Sequence, residues 1–146
     1  MKALIGVVGA GTMGAGIAQV AAQAGHSVVL TDTNPEQLQR AEQQIVKSLD
    51  KLVEKGKFTF EQANAMKASL TYSTQLSDHS AASLVIEAIV EKLEIKHQLF
   101  VQLEQTVGPN CILASNTSSL SIASIGACLK DPSRFLVIHF LKKATL

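Results

Sequence analysis

Apolar residues along this chain recur at two periods, and the alternation between them predicts the architecture. Leu4, Ile5, Val7 and Val8 form a short, nearly continuous apolar run, as a strand buried on both faces would. Ala15, Ile17, Ala18, Val20, Ala21 and Ala22 follow as apolar or helix-forming residues, and Gly25 stands where a left-handed helix cap is expected. Ser27–Thr31 reads as a second strand. Asn34-Pro35-Glu36 then carries the N-cap, first-turn proline and acid of a helix start. Leu38, Ala41, Ile45, Leu49 and Leu52 recur at helical spacing, predicting a long amphipathic helix to about Lys55, before Gly56. Thr59-x-x-Gln62 has the form of a capping box opening a short helix through about Ser69, so the two helices make an excursion from plain strand–helix alternation.

The second half continues the alternation. Leu70–Ser73 and Leu84–Val90 read as strands, and the second carries an acid, Glu87, within its apolar run and another, Glu91, just after it. A buried strand acid needs a partner, so one of the two is expected to face a ligand crevice. A helix is predicted from about Lys92 to Thr106, broken by Gly108-Pro109-Asn110. Cys111–Ala114 is the next strand, Leu120–Leu129 a short helix, and Phe135–Phe140 a last buried strand carrying His139. The expected fold is α/β: a Rossmann-type, doubly wound, mostly parallel sheet with a helical-hairpin excursion after the second strand, in one domain over residues 1–146 with an atypical tail at about 141–146.

The junction of the first strand and helix carries the first chemistry. Gly9-x-Gly11-x-x-Gly14 lies between them, and that context converts a weak pattern into a phosphate-binding turn. Gly9 permits the turn, Gly11 lets backbone approach a pyrophosphate, and Gly14 lets the helix sit close to the strand. The positive end of the helix then faces the diphosphate. Asp32, at the carboxyl end of the second strand, falls where a carboxylate accepts from both hydroxyls of an adenine ribose. An acid there repels a 2′-phosphate, and Thr33 and Asn34 offer no arginine, so NAD is favoured over NADP.

Composition narrows the class. The chain is 47% hydrophobic and 17% charged with a net charge of +1, which fits a globular domain and no nucleic-acid partner. The apolar runs are strand-sized, so no membrane partner is expected. Cys111 and Cys128 lack C-x-x-C spacing and fit a reducing, cytoplasmic setting, and no cluster calls for a metal. Lys51, Lys55 and Lys57 read by default as a solvated basic face. Of the four histidines, His26 falls in a turn, His79 in a polar loop and His97 on an amphipathic helix. His139 ends an apolar strand aimed at the crevice and is the candidate general base, with a hydrogen-bonded core histidine as the plainer alternative. Ser115–Ser119 closes a strand at the edge where open α/β sheets bind ligands, although an N-cap explains such a loop equally.

Four stretches taken together, GAGTMGAGIAQVAAQAGHSVVLTD at 9–32, LVIEAIVEKLEIKHQLF at 84–100, LASNTSSLSI at 113–122 and RFLVIHF at 134–140, resemble the L-3-hydroxyacyl-CoA dehydrogenases over about residues 3–140. The resemblance implies that Gly9, Gly11, Met13 and Gly14 line the NAD diphosphate, with Asp32 on the adenosine ribose. It implies that Glu91 and Lys96 lie near the nicotinamide-side ribose, that Ser118 touches the substrate oxygen and nicotinamide region, and that His139 is the catalytic base. Ser48 and Lys55 match positions that contact the coenzyme A moiety of an acyl-CoA substrate, which raises a ligand role for the basic cluster. The family pairs as homodimers through a helical C-terminal domain.

Two departures stand against the pattern. Where the family continues Phe-Asn-Pro, this chain reads Leu141-Lys142-Lys143, so lysine replaces a nicotinamide-contacting asparagine. The family's glutamate a dozen residues past the histidine, which orients that ring, has no counterpart before Leu146. The expectation from these departures is a truncated or frame-shifted product. The resemblance therefore implies NAD-dependent oxidation of a (3S)-hydroxyacyl-CoA, with a non-catalytic NAD-binding fragment as the alternative.

Overall fold

The computed structural model describes residues 3–140. The tail at 141–146, including Lys142, lies outside the described residues. Six strands form one sheet in the order β3-β2-β1-β4-β5-β6, and every neighbouring pair is parallel. The strands are β1 (Leu4–Val8), β2 (Ser27–Thr31), β3 (Leu70–Ser73), β4 (Leu84–Glu87), β5 (Ile112–Ser115) and β6 (Phe135–Val137). The helices are α1 (Thr12–Gln23), α2 (Pro35–Glu54), α3 (Phe60–Ala68), α4 (Leu93–Thr106) and α5 (Ile122–Gly126). This is the expected doubly wound sheet, with α2 and α3 forming the helical hairpin after β2.

Strand residues alternate between two apolar layers, as the pleat requires. Ile5, Val7, Val28, Leu30, Ile86 and Ala114 face one layer, where Ile17 and Ala18 of α1 and Ile45 and Leu49 of α2 complete the core. Val85 and Leu113 face the other, against Leu99, Phe100 and Leu103 of α4 and Ile125 of α5. All five apolar positions read from the periodicity of α2 are buried. Asn34 caps that helix by accepting from the Glu36 N–H, and the Thr59–Gln62 capping box is formed in both directions. Gly25 takes a φ of 93° just past the end of α1.

Four sequence expectations are corrected. The strand predicted over Leu84–Val90 ends at Glu87, because the Ala88–Val90 segment turns outward to line a cleft. The helix predicted over Leu120–Leu129 is regular only at Ile122–Gly126. The last strand, expected to be buried through Phe140, covers Phe135–Val137 at the sheet edge with Leu136 exposed. His79, read as part of a polar loop, is fully buried in a short 3-10 helix. Its Nε2 lies 2.8 Å from Thr31 Oγ1, and burial pushes its pKa down to about 4 against a smaller opposing pull from Asp78. Gly6 makes room for it: a Cβ there would sit 2.3 Å from His79 Nδ1.

Among the described residues, no helix is long and apolar enough to cross a membrane.

Candidate functional site

Because all six strands are parallel, their carboxyl ends share one rim, and everything leaving those ends converges there. The strand order reverses between β1 and β4, the point where open α/β sheets leave a crevice. A cleft of about 540 Å³ occupies that position. Gly9, Gly11 and Asp32 form one wall, and Ile89, Val90 and Ile95 another.

The glycine turn is built as its spacing required. Gly9 has a φ of 106°, a region side chains avoid, and a Cβ there would lie 2.5 Å from the Ala88 carbonyl oxygen. A Cβ on Gly14 would fall 1.6 Å from the Gly9 carbonyl oxygen, so only glycine lets α1 pack onto the turn. At Gly11 the same construction meets nothing within 4 Å, so backbone there borders open space. Gly11 caps α1 without a side-chain hydrogen bond, and no acid occupies the first turn. The N–H groups of Thr12, Met13 and Gly14 therefore lack a capping oxygen and stand with the dipole's positive end at the cleft. Open backbone and uncapped N–H donors suit a dinucleotide diphosphate, and the nearby carboxylate is an acceptor for ribose hydroxyls. Met13 is half-buried on that first turn.

Asp32 ties the turn to β2. Its Oδ2 accepts from the Ala10 N–H at 2.8 Å and its Oδ1 from the Asn34 N–H at 2.9 Å. Gly9 N–H also donates to the Thr31 carbonyl at 2.8 Å. Each carboxylate oxygen keeps a lone pair for a further donor.

A second group of residues sits beside the cleft on the β4–β5 side. Glu87 and Lys96 are both fully buried, with Lys96 Nζ 2.6 Å from Glu87 Oε2 and 2.8 Å from Glu91 Oε1. Of the two acids offered for the crevice, Glu87 is the enclosed one and Glu91 the rim-exposed one. Glu91 Oε2 accepts from Thr117 Oγ1 at 2.7 Å, Ser119 Oγ at 2.8 Å, and the N–H groups of Ser118 and Ser119 at 3.2 and 3.3 Å. Desolvation opposes its charge, but hydrogen bonds from Lys96, Thr117 and Ser119 and the Lys96 charge outweigh this and hold its pKa down to about 2. Glu91, Lys96 and Ser118 are thus one connected cluster.

His139 is exposed and lies two residues past the end of β6, on the same rim as the glycine turn. Ile138 N–H donates to the Ser115 carbonyl at 3.0 Å, which fixes the chain entering His139 against the end of β5. Gly9 and His139 therefore lie at the ends of strands three positions apart, about 14 Å across the sheet at the usual spacing. Of the residues singled out from the sequence, Gly9, Gly11 and Asp32 line the cleft, whereas Met13, Gly14, Glu91, Lys96, Ser118, His139, Ser48 and Lys55 do not. Ser48 and Lys55 belong to the helical hairpin. They lie seven residues apart on one face of α2, about 20 and 30 Å along its axis from Pro35. Ser48 Oγ accepts from the buried Gln19 Nε2 at 2.8 Å, and Lys55 is exposed at the C-cap.

Ser115 and Thr117 are read from the sequence only as members of the Ser115–Ser119 loop, and His79 only as part of a polar loop, yet each has a definite part in this site. Ser115 Oγ donates to Glu87 Oε1, Thr117 Oγ1 also accepts from the Leu120 N–H at 3.1 Å, and His79 braces Thr31 on the cleft wall. A glycine amid the branched residues of β1 was the available signal for His79. For the Glu87–Lys96 pair, it was an acid ending a strand with a lysine in the next helix's first turn.

The sequence model of the family described as "3-hydroxyacyl-CoA dehydrogenase, NAD binding domain" matches residues 4–146. A probable 3-hydroxybutyryl-CoA dehydrogenase of Deinococcus radiodurans is 47% identical over 141 residues, covering 97% of this chain and 50% of that protein. The 3-hydroxyadipyl-CoA dehydrogenase of Escherichia coli K12 is 44% identical over 140 residues, 96% of this chain and 30% of that protein. The crystal structure of 3-hydroxybutyryl-CoA dehydrogenase from Escherichia coli K12 superimposes with a TM-score of 0.95 at 43% identity, covering 99% of this chain and 30% of that one. The chain thus spans half or less of the length of these relatives.

Proposed function

The chain belongs to the 3-hydroxyacyl-CoA dehydrogenase family, of which it carries the NAD-binding domain, and from that premise we propose that it serves the oxidation of a (3S)-hydroxyacyl-CoA to the 3-oxoacyl-CoA. The names of the relatives share a 3-hydroxyacyl thioester of coenzyme A, which supports that substrate class. The observation that carries the reading is the common rim: glycine turn, Asp32, Glu91, Ser118 and His139 all follow carboxyl ends of one parallel sheet.

Gly9, Gly11, Met13 and Gly14 present backbone to the diphosphate, where the uncapped end of α1 complements its charge. Asp32 takes the adenosine ribose with the lone pairs that Ala10 and Asn34 leave free. Glu91 faces the second ribose, with the enclosed Lys96 ammonium behind it. The bound nicotinamide supplies the hydride acceptor for C3 of the substrate. Ser118 donates to the substrate oxygen and orients it. His139, as a neutral imidazole, takes the proton of the 3-hydroxyl as the C–H bond breaks. Ser48 and Lys55 hold the coenzyme A moiety along α2. In that reading Gln19 donates to Ser48, which leaves the serine O–H directed to the ligand.

A second reading, an NAD-binding module without turnover, is favoured by Lys142, which stands where the resemblance expects a nicotinamide-contacting asparagine. One experiment separates the two. NADH binding is followed by fluorescence, acetoacetyl-CoA is added, and NADH absorbance is recorded for the parent and His139→Ala. The dehydrogenase reading expects both proteins to bind NADH and only the parent to oxidise it. Binding without oxidation by the parent gives the module. Equal oxidation by His139→Ala removes the histidine from the mechanism.

A further inference from the structure

Glu87 is enclosed beneath the site, touches none of the space a ligand would take, and yet meets every element that shapes the β4–β5 side. Its Oε1 accepts from Ser115 Oγ at the end of β5. Its Oε2 accepts from the Ile89 N–H at 2.8 Å and from Lys96 Nζ at 2.6 Å. Its own carbonyl accepts from the Asn116 N–H at 2.9 Å, where the polar loop begins.

We propose that Glu87 is the positioning residue of this side of the site: by holding the buried Lys96 ammonium, it keeps Glu91 shared between that ammonium and the loop Thr117–Ser119. The inference rests on the reading above only for Glu91 facing the cofactor.

The argument is one of shared charge. Lys96 Nζ is fully buried and must be neutralised where it lies. Among the described residues, the charged groups facing it are Glu87 from β4 and Glu91 from the β4–α4 connection, while β5 and its loop contribute hydroxyls of Ser115, Thr117 and Ser119 and the N–H groups of Ser118 and Ser119 to those two acids. With Glu87 carrying most of that duty, Glu91 presents Oε1 to the ammonium and leaves Oε2 to the loop. Without the Glu87 charge, the ammonium draws both Glu91 oxygens inward. The longest loop contacts, Ser118 N–H at 3.2 Å and Ser119 N–H at 3.3 Å, are then the first to open. Glu87 thereby sets the position of Ser118 without touching it.

The test compares Glu87→Gln, a near-isosteric neutral, with Leu103→Ala, a core truncation on α4 that lowers stability without altering the charge cluster. In the ligand-free proteins the Ser118 and Ser119 amide protons are followed by NMR. Both move upfield in Glu87→Gln and stay in place in Leu103→Ala. The NADH dissociation constant rises about tenfold or more in Glu87→Gln, the effect of losing a charged hydrogen bond. Unchanged amides in a folded Glu87→Gln would overturn the proposal. If that variant does not fold, Ser115→Ala removes one of the same contacts, and its two amides must shift in the same direction or the proposal fails. Shifted amides with a parent that binds no NADH would leave the positioning role standing and reject the cofactor reading of Glu91.

Discussion

Asp32→Ala separates what this carboxylate does for the fold from what it does for a ligand. Two backbone donors lose their acceptor, Ala10 N–H at 2.8 Å and Asn34 N–H at 2.9 Å. Asn34 is exposed and water replaces the lost oxygen at little cost. Ala10 is 2% exposed, so its N–H is left nearly stranded, a penalty of about 1–3 kcal/mol. For a domain of this size that lowers Tm by roughly 2–4 °C per kcal/mol, or about 2–12 °C in all. The ligand effect is separate: losing a charge-assisted bond to the ribose removes about 1.5–3 kcal/mol, roughly 10- to 150-fold in NADH affinity. The same substitution removes the charge that repels a 2′-phosphate, so NADPH gains relative to NADH. Thermal unfolding and fluorescence titration with both nucleotides read the two effects in parallel. Asp32→Asn sharpens them, since its amide oxygen still accepts from Ala10 while the charge is gone. It should retain most of the Tm and still relax the discrimination. A parent that binds NADPH as tightly as NADH would refute the role given to Asp32.

Two further outcomes follow from the same geometry. Gly14→Ala puts a methyl 1.6 Å from the Gly9 carbonyl, so α1 must retreat from the turn; we expect about 1–3 kcal/mol or more of destabilisation by urea unfolding, with NADH binding lost in whatever fraction folds. His79 has a folded pKa of about 4 against an ordinary 6.5, because its burial disfavours the cation. The unfolded chain therefore binds the extra proton first, and stability should fall as pH drops from about 6.5 to 4, by on the order of 2–3 kcal/mol. His79→Gln should flatten that slope in urea unfolding measured across the range, and a slope that survives the substitution assigns it to another group.

Much of this molecule is legible in its sequence, for identifiable reasons. The glycine turn, Asp32 and the caps at Asn34 and Thr59 depend on contacts within a few residues or on one βαβ unit, so spacing alone carries them. The buried stripe of α2 is equally local, being a periodicity on a single helix. The misreadings concern partners distant in the chain. His79 looks polar among Ser77, Asp78 and Ser80, yet its place is decided by Gly6 and Thr31, residues of two other strands. Glu87 reads as an anomaly in an apolar run until Lys96 and Ser115 enclose it. The end of β6 was overextended because apolar residues continue after the ladder to β5 stops at Val137. Ser48 and Lys55 share a helical face that periodicity reveals, but nothing within the chain's own packing assigns that face a ligand.

The central claim is that a dinucleotide crosses the amino end of α1 on the rim that carries His139. The most direct measurement is an NMR titration of the protein with NADH, mapping which backbone amides shift. The account predicts the largest changes at Gly9, Gly11, Met13, Gly14 and the Asn34 turn, with Ser118 and His139 also moving. Binding whose shifts instead gather at the opposite rim, around Gly25 and Gly108, would contradict it.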